Sequence, residues 1–99
     1  MNQVISVFGS SSPTPDSEAY SEARRLGQLL AEAGLTVATG GYGGTMAAVS
    51  QGAAGAGGHV IGVTSSHIER YRPTPPNEWV AEEIRFDSQR DRLLYLVMN

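Results

Sequence analysis

Residues 35–64 read LTVATGGYGGTMAAVSQGAAGAGGHVIGVT, and this run contains the clearest indication of the fold. It begins with a short β-rich run (residues 35–39) and passes through a glycine loop (residues 40–44). An alanine-rich run typical of a closely packed helix (residues 45–54) and a second apolar run (residues 59–64) follow. A strand, a helix and another strand in this order predict a parallel pair joined by a right-handed crossover.

The same alternation continues towards the N-terminus. Residues 4–8 form a nearly continuous apolar run, which predicts a strand buried on both faces. Asp16 or Ser17 can cap the helix that follows, and Gly34 supplies its left-handed stop. The predicted buried face of this helix consists of apolar residues at helical spacing: Ala19, Ala23, Leu26, Leu30 and Ala33.

Towards the C-terminus, a proline-rich stretch (residues 65–77) predicts an ordered loop over the carboxyl edge of the sheet. Residues 83–86 predict a short fourth strand, and Asp87 or Ser88 opens a last helix that runs to Asn99. The apolar face expected for this helix comprises Leu93, Leu94, Leu96, Val97 and Met98.

These elements predict an α/β chain with a Rossmann-like, doubly wound parallel sheet: a β-α-β-α-β half followed by a short strand and a helix. We expect residues 1–99 to form a single, incomplete nucleotide-binding domain. In the usual order the first three strands stack 3-2-1, and a fourth pairs with the open side of the first. If residues 83–86 are too short to cover that side, residues 4–8 become an exposed edge that invites self-association.

Composition excludes several classes of function. Lys and Arg number 7 against 10 Asp and Glu, so the net charge of −3 provides no basic field for a nucleic-acid partner. Cysteine is absent, which rules out disulfides and thiolate metal sites, and neither His59 nor His67 lies in a metal-ligand pattern. No apolar run reaches membrane-spanning length. We therefore expect a cytoplasmic protein with no nucleic-acid, membrane or metal partner.

The glycine loop is the strongest candidate binding element. It follows a strand and opens a helix, where backbone N–H groups and the positive helix end favour a phosphate. The alternative is a tight turn with no ligand. No Gly-Lys-Ser/Thr follows, and the loop does not come after the first strand, so neither a Walker A loop nor a dinucleotide fingerprint is present. Residues 9–12 (GSSS) end the first strand and either help to bind a phosphate or ribose, or form an ordinary serine-rich turn.

The two loops and the strand run GGHVIGV (residues 57–63), in this order and spacing, resemble the "Lonely guy" (LOG) family over nearly the whole chain. The family comprises phosphoribohydrolases that cleave nucleoside 5'-monophosphates to a base and ribose 5-phosphate. The resemblance implies an AMP-like nucleotide partner, no cofactor, and a homodimer or higher homo-oligomer. It also implies a nucleotide and phosphate site formed by Gly9, Ser10, Ser11, Gly40, Gly41, Gly43, Gly44, Thr45 and Met46.

The family's catalysis requires an arginine in the helix after the fourth strand, together with a Pro-Gly-Gly-x-Gly-Thr-x-x-Glu motif. This chain lacks the motif, so we expect the 99 residues to be inactive and the hydrolase activity to belong to an intact parent. The Asp91-Arg92 pair resembles the acidic residue and arginine that follow each other in the family. Helical phase instead places Arg90 in line with Leu94 and Val97 on the inward face. We favour Arg92 as the catalytic arginine. The alternative function is a non-catalytic nucleotide- or cofactor-binding carrier on the same scaffold.

The chain also departs from the family pattern. Tyr42 and the triplet Gly43-Gly44-Thr45 replace the Val-Gly-Leu sequence that usually precedes Met46. This departure affects the expected base specificity, so the resemblance does not extend to a cytokinin substrate. Trp79 and Tyr71 could stack on a base or seal a subunit contact, but packing against the sheet is the commoner use of such aromatic residues.

Overall fold

The computed structural model describes residues 3–9, 12–40, 42–66 and 77–98, and their order of strands and helices confirms the predicted alternation. The elements are β1 (Val4–Ser6), α1 (Glu18–Glu32), β2 (Thr36–Thr39), α2 (Thr45–Gly55), β3 (Val60–Ser65), β4 (Glu82–Phe86) and α3 (Gln89–Met98). Most of the predicted loop over the carboxyl edge (residues 67–76) lies outside the described residues. No helix in the described ranges has the length and apolar character needed to cross a membrane.

All strand pairs are parallel, and the strand order is β1-β2-β3-β4. The expected position of the fourth strand beside the first is therefore wrong, because β4 pairs with β3 from Ile61↔Glu82 to Ser65↔Phe86. Gly62 helps to explain this placement, since a Cβ there would lie 2.7 Å from Cγ2 of Val80 in the segment leading to β4. Within the described residues, β1 is left as an edge strand, as the sequence suggested it could be.

The two faces of the sheet bury different cores. One face carries Val37 and Val60 and packs against Val49 and Ala53 of α2. The other carries Ala38, Ile61 and Val63 and packs against Leu96 of α3. Since alternate residues of a strand point to opposite faces, α1 and α2 cover one side and α3 covers the other. This arrangement confirms the predicted Rossmann-like α/β class.

Helix α1 begins and ends at the predicted residues. The Ser17 hydroxyl accepts a hydrogen bond from the Tyr20 N–H (3.2 Å), and Gly34 has a φ of 82° after the last turn. The predicted buried face is right in part: Ala23 and Leu30 pack against the core, whereas Leu26 is 43% exposed and Gly27 is buried instead.

Glycine explains why the buried strip of α1 runs through Gly27, between Ala23 and Leu30, and leaves Leu26 outside. A Cβ on Gly27 would overlap the carbonyl oxygen of Val49, and one on Gly52 would overlap that of Arg24. The backbones of α1 and α2 therefore touch directly. A hydropathy pattern gives no weight to glycine, so it selects Leu26 instead.

Helix α3 also differs from its predicted orientation. Of the five residues expected on its apolar face, only Leu96 is buried, at 2% exposure, and Leu93, Leu94, Val97 and Met98 are exposed. The buried face instead contains Arg92 and Leu96, which lie one helical turn apart. The helix contacts β3 and β4, so only a narrow strip of its surface is covered.

Candidate functional site

Two of the predicted loops meet at the carboxyl edge of the sheet. The Val7 N–H donates to the Ala38 carbonyl (2.8 Å), so the segment after β1 still follows β2 as both leave the sheet. Gly9 then lies against the side chain of Thr45, where a Cβ would lie 2.6 Å from the Thr45 Cβ. The predicted site residues Ser10, Ser11 and Gly41 lie outside the described residues.

The N-terminus of α2 lies at this edge, with Gly44 buried and Gly43 and Thr45 partly exposed. Its N-cap is Gly44, which has a φ of 64° and makes no side-chain capping hydrogen bond. The first-turn N–H groups of a helix lack intrahelical partners, and the helix dipole adds positive potential there. A Cβ on neighbouring Gly43 would meet no heavy atom of the described residues within 4 Å. The geometry can therefore accept a small anion close to the backbone.

Tyr42 connects the glycine loop to β3. Its hydroxyl accepts a hydrogen bond from the Ser65 N–H (3.0 Å) and donates one to the Ser65 carbonyl (3.3 Å). Asn77 Nδ2 donates to the Tyr42 carbonyl (2.9 Å), and Tyr42 itself is 7% exposed. In the sequence Tyr42 stands out only as a departure from the family pattern, and no motif points to Asn77. The one signal for Tyr42 is a large aromatic residue among glycines.

Arg92 lies beneath the same loop and is 7% exposed. Its Nε donates to the Val63 carbonyl (2.8 Å) and its Nη2 to the Gly40 carbonyl (3.2 Å). Its guanidinium carbon is 5.6 Å from the centroid of the Tyr42 ring, which is a cation–π arrangement. Burial lowers the pKa of Arg92, and Tyr42 opposes that shift. The side chain therefore ties β3 to the start of the loop.

The structure also explains two of the predicted ligand residues near Arg92. A Cβ on Gly40 would overlap both the Arg92 guanidinium and the Met46 sulfur, so the missing side chain at this position accommodates Arg92. Met46 Sδ lies 3.9 Å from Arg92 Nη2. Arg90 is exposed, so the helical phase that placed it on the inward face does not hold. The catalytic role of Arg92 stays a prediction.

Trp79 and His59 lie in other surroundings. Trp79 packs against the cluster of Tyr20, Ala47 and Ala48 and borders a groove of about 580 Å³ between α1 and α2. His59 Nε2 is 2.9 Å from Glu82 Oε1 at the surface. In the ranges that the structure describes, no three His, Cys, Asp or Glu residues gather as a metal site would require. His67 and Tyr71 fall outside those ranges.

A parallel sheet with helices on both faces and a glycine loop at its carboxyl edge defines the class of Rossmann-like α/β domains. The model of the SLOG cluster4 family matches residues 2–92, and the chain belongs to that family. SLOG denotes a LOG-like superfamily, so the resemblance found in the sequence is confirmed.

Solved structures with the same fold extend this comparison. The molybdenum cofactor binding protein of the phototrophic bacterium Rippkaea orientalis is 29% identical, with a TM-score of 0.81 over 99% of this chain and 58% of its own. The structural-genomics target TM1055 is 29% identical, with a TM-score of 0.78 over 100% and 56%. The molybdenum cofactor carrier protein of Chlamydomonas reinhardtii is 26% identical, with a TM-score of 0.73 over 89% and 52%.

The chain thus spans between 52% and 58% of the length of these three proteins. A comparison with curated proteins found no significant match.

Proposed function

We propose that this chain is a non-catalytic binding or carrier module for a small cofactor or nucleotide that bears a phosphate or a similar anion. The observation that carries the proposal is the uncapped N-terminus of α2 beside the open space at Gly43. Two relatives named for binding or carrying the molybdenum cofactor support a carrier role and make that cofactor the first ligand to test.

The proposed contacts come from the residues around this opening. Gly43, Gly44 and Thr45 would offer backbone N–H groups to the anion, and Gly9 would border it from the neighbouring loop. Ser10, Ser11 and Gly41 remain sequence-based proposals. Gly40 and Met46 contact Arg92 and would support the loop from below.

A nucleoside 5'-monophosphate phosphoribohydrolase is the second candidate, because the chain is LOG-like and Arg92 lies under the glycine loop. One observation favours the carrier. Arg92 already donates to the carbonyls of Val63 and Gly40, which is an anchoring arrangement.

Calorimetry on the full chain tests the binding proposal, with inorganic phosphate, AMP and the molybdenum cofactor as separate titrants. We expect saturable binding that Gly43→Val weakens and Gly55→Val leaves unchanged. Gly55 is the matched control, because a Cβ there also meets nothing within 4 Å but lies at the other end of α2. No binding of any titrant would refute the proposal.

Chromatography of the AMP incubation tests the second candidate. A hydrolase releases adenine and ribose 5-phosphate, whereas a carrier leaves AMP intact. Base release by the purified chain that is lost in Arg92→Lys would favour the second candidate and would make Arg92 a catalytic residue.

We also propose that the chain self-associates, as the sequence led us to expect. Leu93, Leu94, Val97 and Met98 form an exposed apolar strip on α3, and β1 has a neighbour on one side only within the described sheet. Sedimentation at micromolar concentration should show a dimer or larger species. A stable monomer would contradict this proposal and leave the binding site unaffected.

A further inference from the structure

Tyr42 is the one large side chain in a loop otherwise composed of glycine, and it is buried. Two of the backbone carbonyls of this loop also have side-chain donors from other elements. The Tyr42 carbonyl accepts from Asn77, which precedes β4, and the Gly40 carbonyl accepts from Arg92 of α3. The glycine loop is therefore held from β3, from the segment before β4 and from α3.

We propose that Tyr42 is a positioning residue for the anion site, acting through a hydroxyl that fastens the glycine loop to Ser65 at the end of β3. Its place in the loop, directly before Gly43 and Gly44, means that this bond fixes the backbone that leads into α2. The effect on ligand affinity rests on the proposed function, whereas the effect on the loop does not.

The physical reason is conformational entropy. Glycine loses more backbone freedom on ordering than any other residue, so a glycine loop without an anchor would have to be ordered by the ligand itself. An anchor that orders the loop in advance lowers that cost and strengthens binding.

The anchors also determine which backbone groups face the opening. The carbonyl oxygens of Gly40 and Tyr42 carry partial negative charge and would repel an anion. Arg92 and Asn77 hold both oxygens in hydrogen bonds at 3.2 and 2.9 Å, which keeps them directed at those donors. The N–H groups of Gly43, Gly44 and the first turn of α2 are then the groups available to a ligand.

Tyr42→Phe tests the proposal, because it removes the hydroxyl and keeps the ring that lies against the Arg92 guanidinium. Tyr20→Phe is a matched control: Tyr20 is 5% exposed, and its hydroxyl donates to Gln51 Oε1 (2.8 Å), away from the loop. Both variants lose a buried tyrosine hydroxyl, so a general loss of stability should appear in both.

Two measurements on the full chain separate a positioning role from a structural one. Amide hydrogen exchange should become faster at Ala48, whose N–H donates to the Gly44 carbonyl (3.0 Å), in Tyr42→Phe and remain at the wild-type rate there in Tyr20→Phe. Calorimetry with AMP should show affinity reduced about fivefold or more in Tyr42→Phe, the scale of one buried hydrogen bond, and unchanged in Tyr20→Phe.

Unchanged exchange at Ala48 in folded Tyr42→Phe would overturn the proposal, as would faster exchange with unchanged AMP affinity. If the wild-type chain binds none of phosphate, AMP and the molybdenum cofactor, the proposed function fails and the exchange rates alone decide whether Tyr42 fixes the loop.

Should Tyr42→Phe not fold, hydrogen exchange in the wild-type chain provides the second test. The Ser65 N–H donates to the Tyr42 hydroxyl at 3.0 Å, so it should exchange slowly. Fast exchange at Ser65 in the folded wild-type chain would overturn the anchor.

Discussion

At the N-terminal end of α2, Gly43 faces open space and Gly44 has a φ of 64°, whereas further along the same helix Gly52 lies against the backbone of α1. The missing side chain has a different effect in each region. At the loop, glycine leaves space beside the N-terminus of α2. Within the helix, glycine allows the backbones of α1 and α2 to touch. Substitutions in the two regions should therefore separate ligand binding from stability.

Gly52→Val should have the largest effect. Its Cβ would overlap the Arg24 carbonyl oxygen and lie 2.9 Å from the Gln28 nitrogen, so α1 and α2 would have to move apart. We expect a loss of about 3 kcal/mol or more in the free energy of unfolding, which is the upper range for overpacking and could unfold a small domain. Urea denaturation measures this loss, and a stability within about 0.5 kcal/mol of wild type would contradict the backbone contact.

Gly44→Val should damage both stability and binding. A β-branched residue at positive φ costs about 1–2 kcal/mol or more, and the side chain would crowd the N-terminus of α2. We expect affinity for phosphate or AMP to fall by about tenfold or more, because the N–H groups of the first turn would no longer be accessible. Thr45→Ala should reduce affinity less. Unchanged affinity in Gly44→Val would contradict ligand binding at the loop and favour the alternative of a tight turn with no ligand.

Gly43→Val gives the sharpest separation of the two regions. Its Cβ would meet no heavy atom within 4 Å, and its φ is not positive, so the free energy of unfolding should change by less than about 0.5 kcal/mol. Affinity for AMP should nevertheless fall about tenfold, because the side chain would occupy the space proposed for the ligand. Calorimetry measures the affinity and urea denaturation measures the free energy of unfolding on the same preparation. A loss of stability that accompanies the loss of affinity would contradict the separation of the two regions.

Gly55→Ala should have the smallest effect and the opposite sign. Gly55 ends α2 without a positive φ and without a heavy atom near its would-be Cβ. Alanine restricts the unfolded chain more than glycine does, so we expect a gain of about 0.5 kcal/mol with unchanged AMP affinity. A clear loss of stability in thermal unfolding would show that this end of α2 is more tightly packed than the structure indicates.

Much of the fold could be predicted because its signals are local. The glycine loop was placed between β2 and α2, Ser17 caps α1, and Gly34 follows that helix with a positive φ. Each depends on residues within one or two turns of the chain. The meeting of Gly9 with Thr45 was also predictable, because the carboxyl ends of adjacent parallel strands lie at one edge of a sheet.

Local sequence therefore suffices to predict the order of elements, the class of fold and the loops that form the candidate site. The buried side of each helix depends on tertiary contacts: α1 buries Gly27 rather than Leu26, and α3 buries Arg92. Tertiary contacts also place β4 beside β3 and Tyr42 against Ser65. Hydrophobic periodicity shows that a helix has a buried side, but the helix turns towards whichever side its neighbour can approach most closely. That neighbour comes from a distant part of the chain.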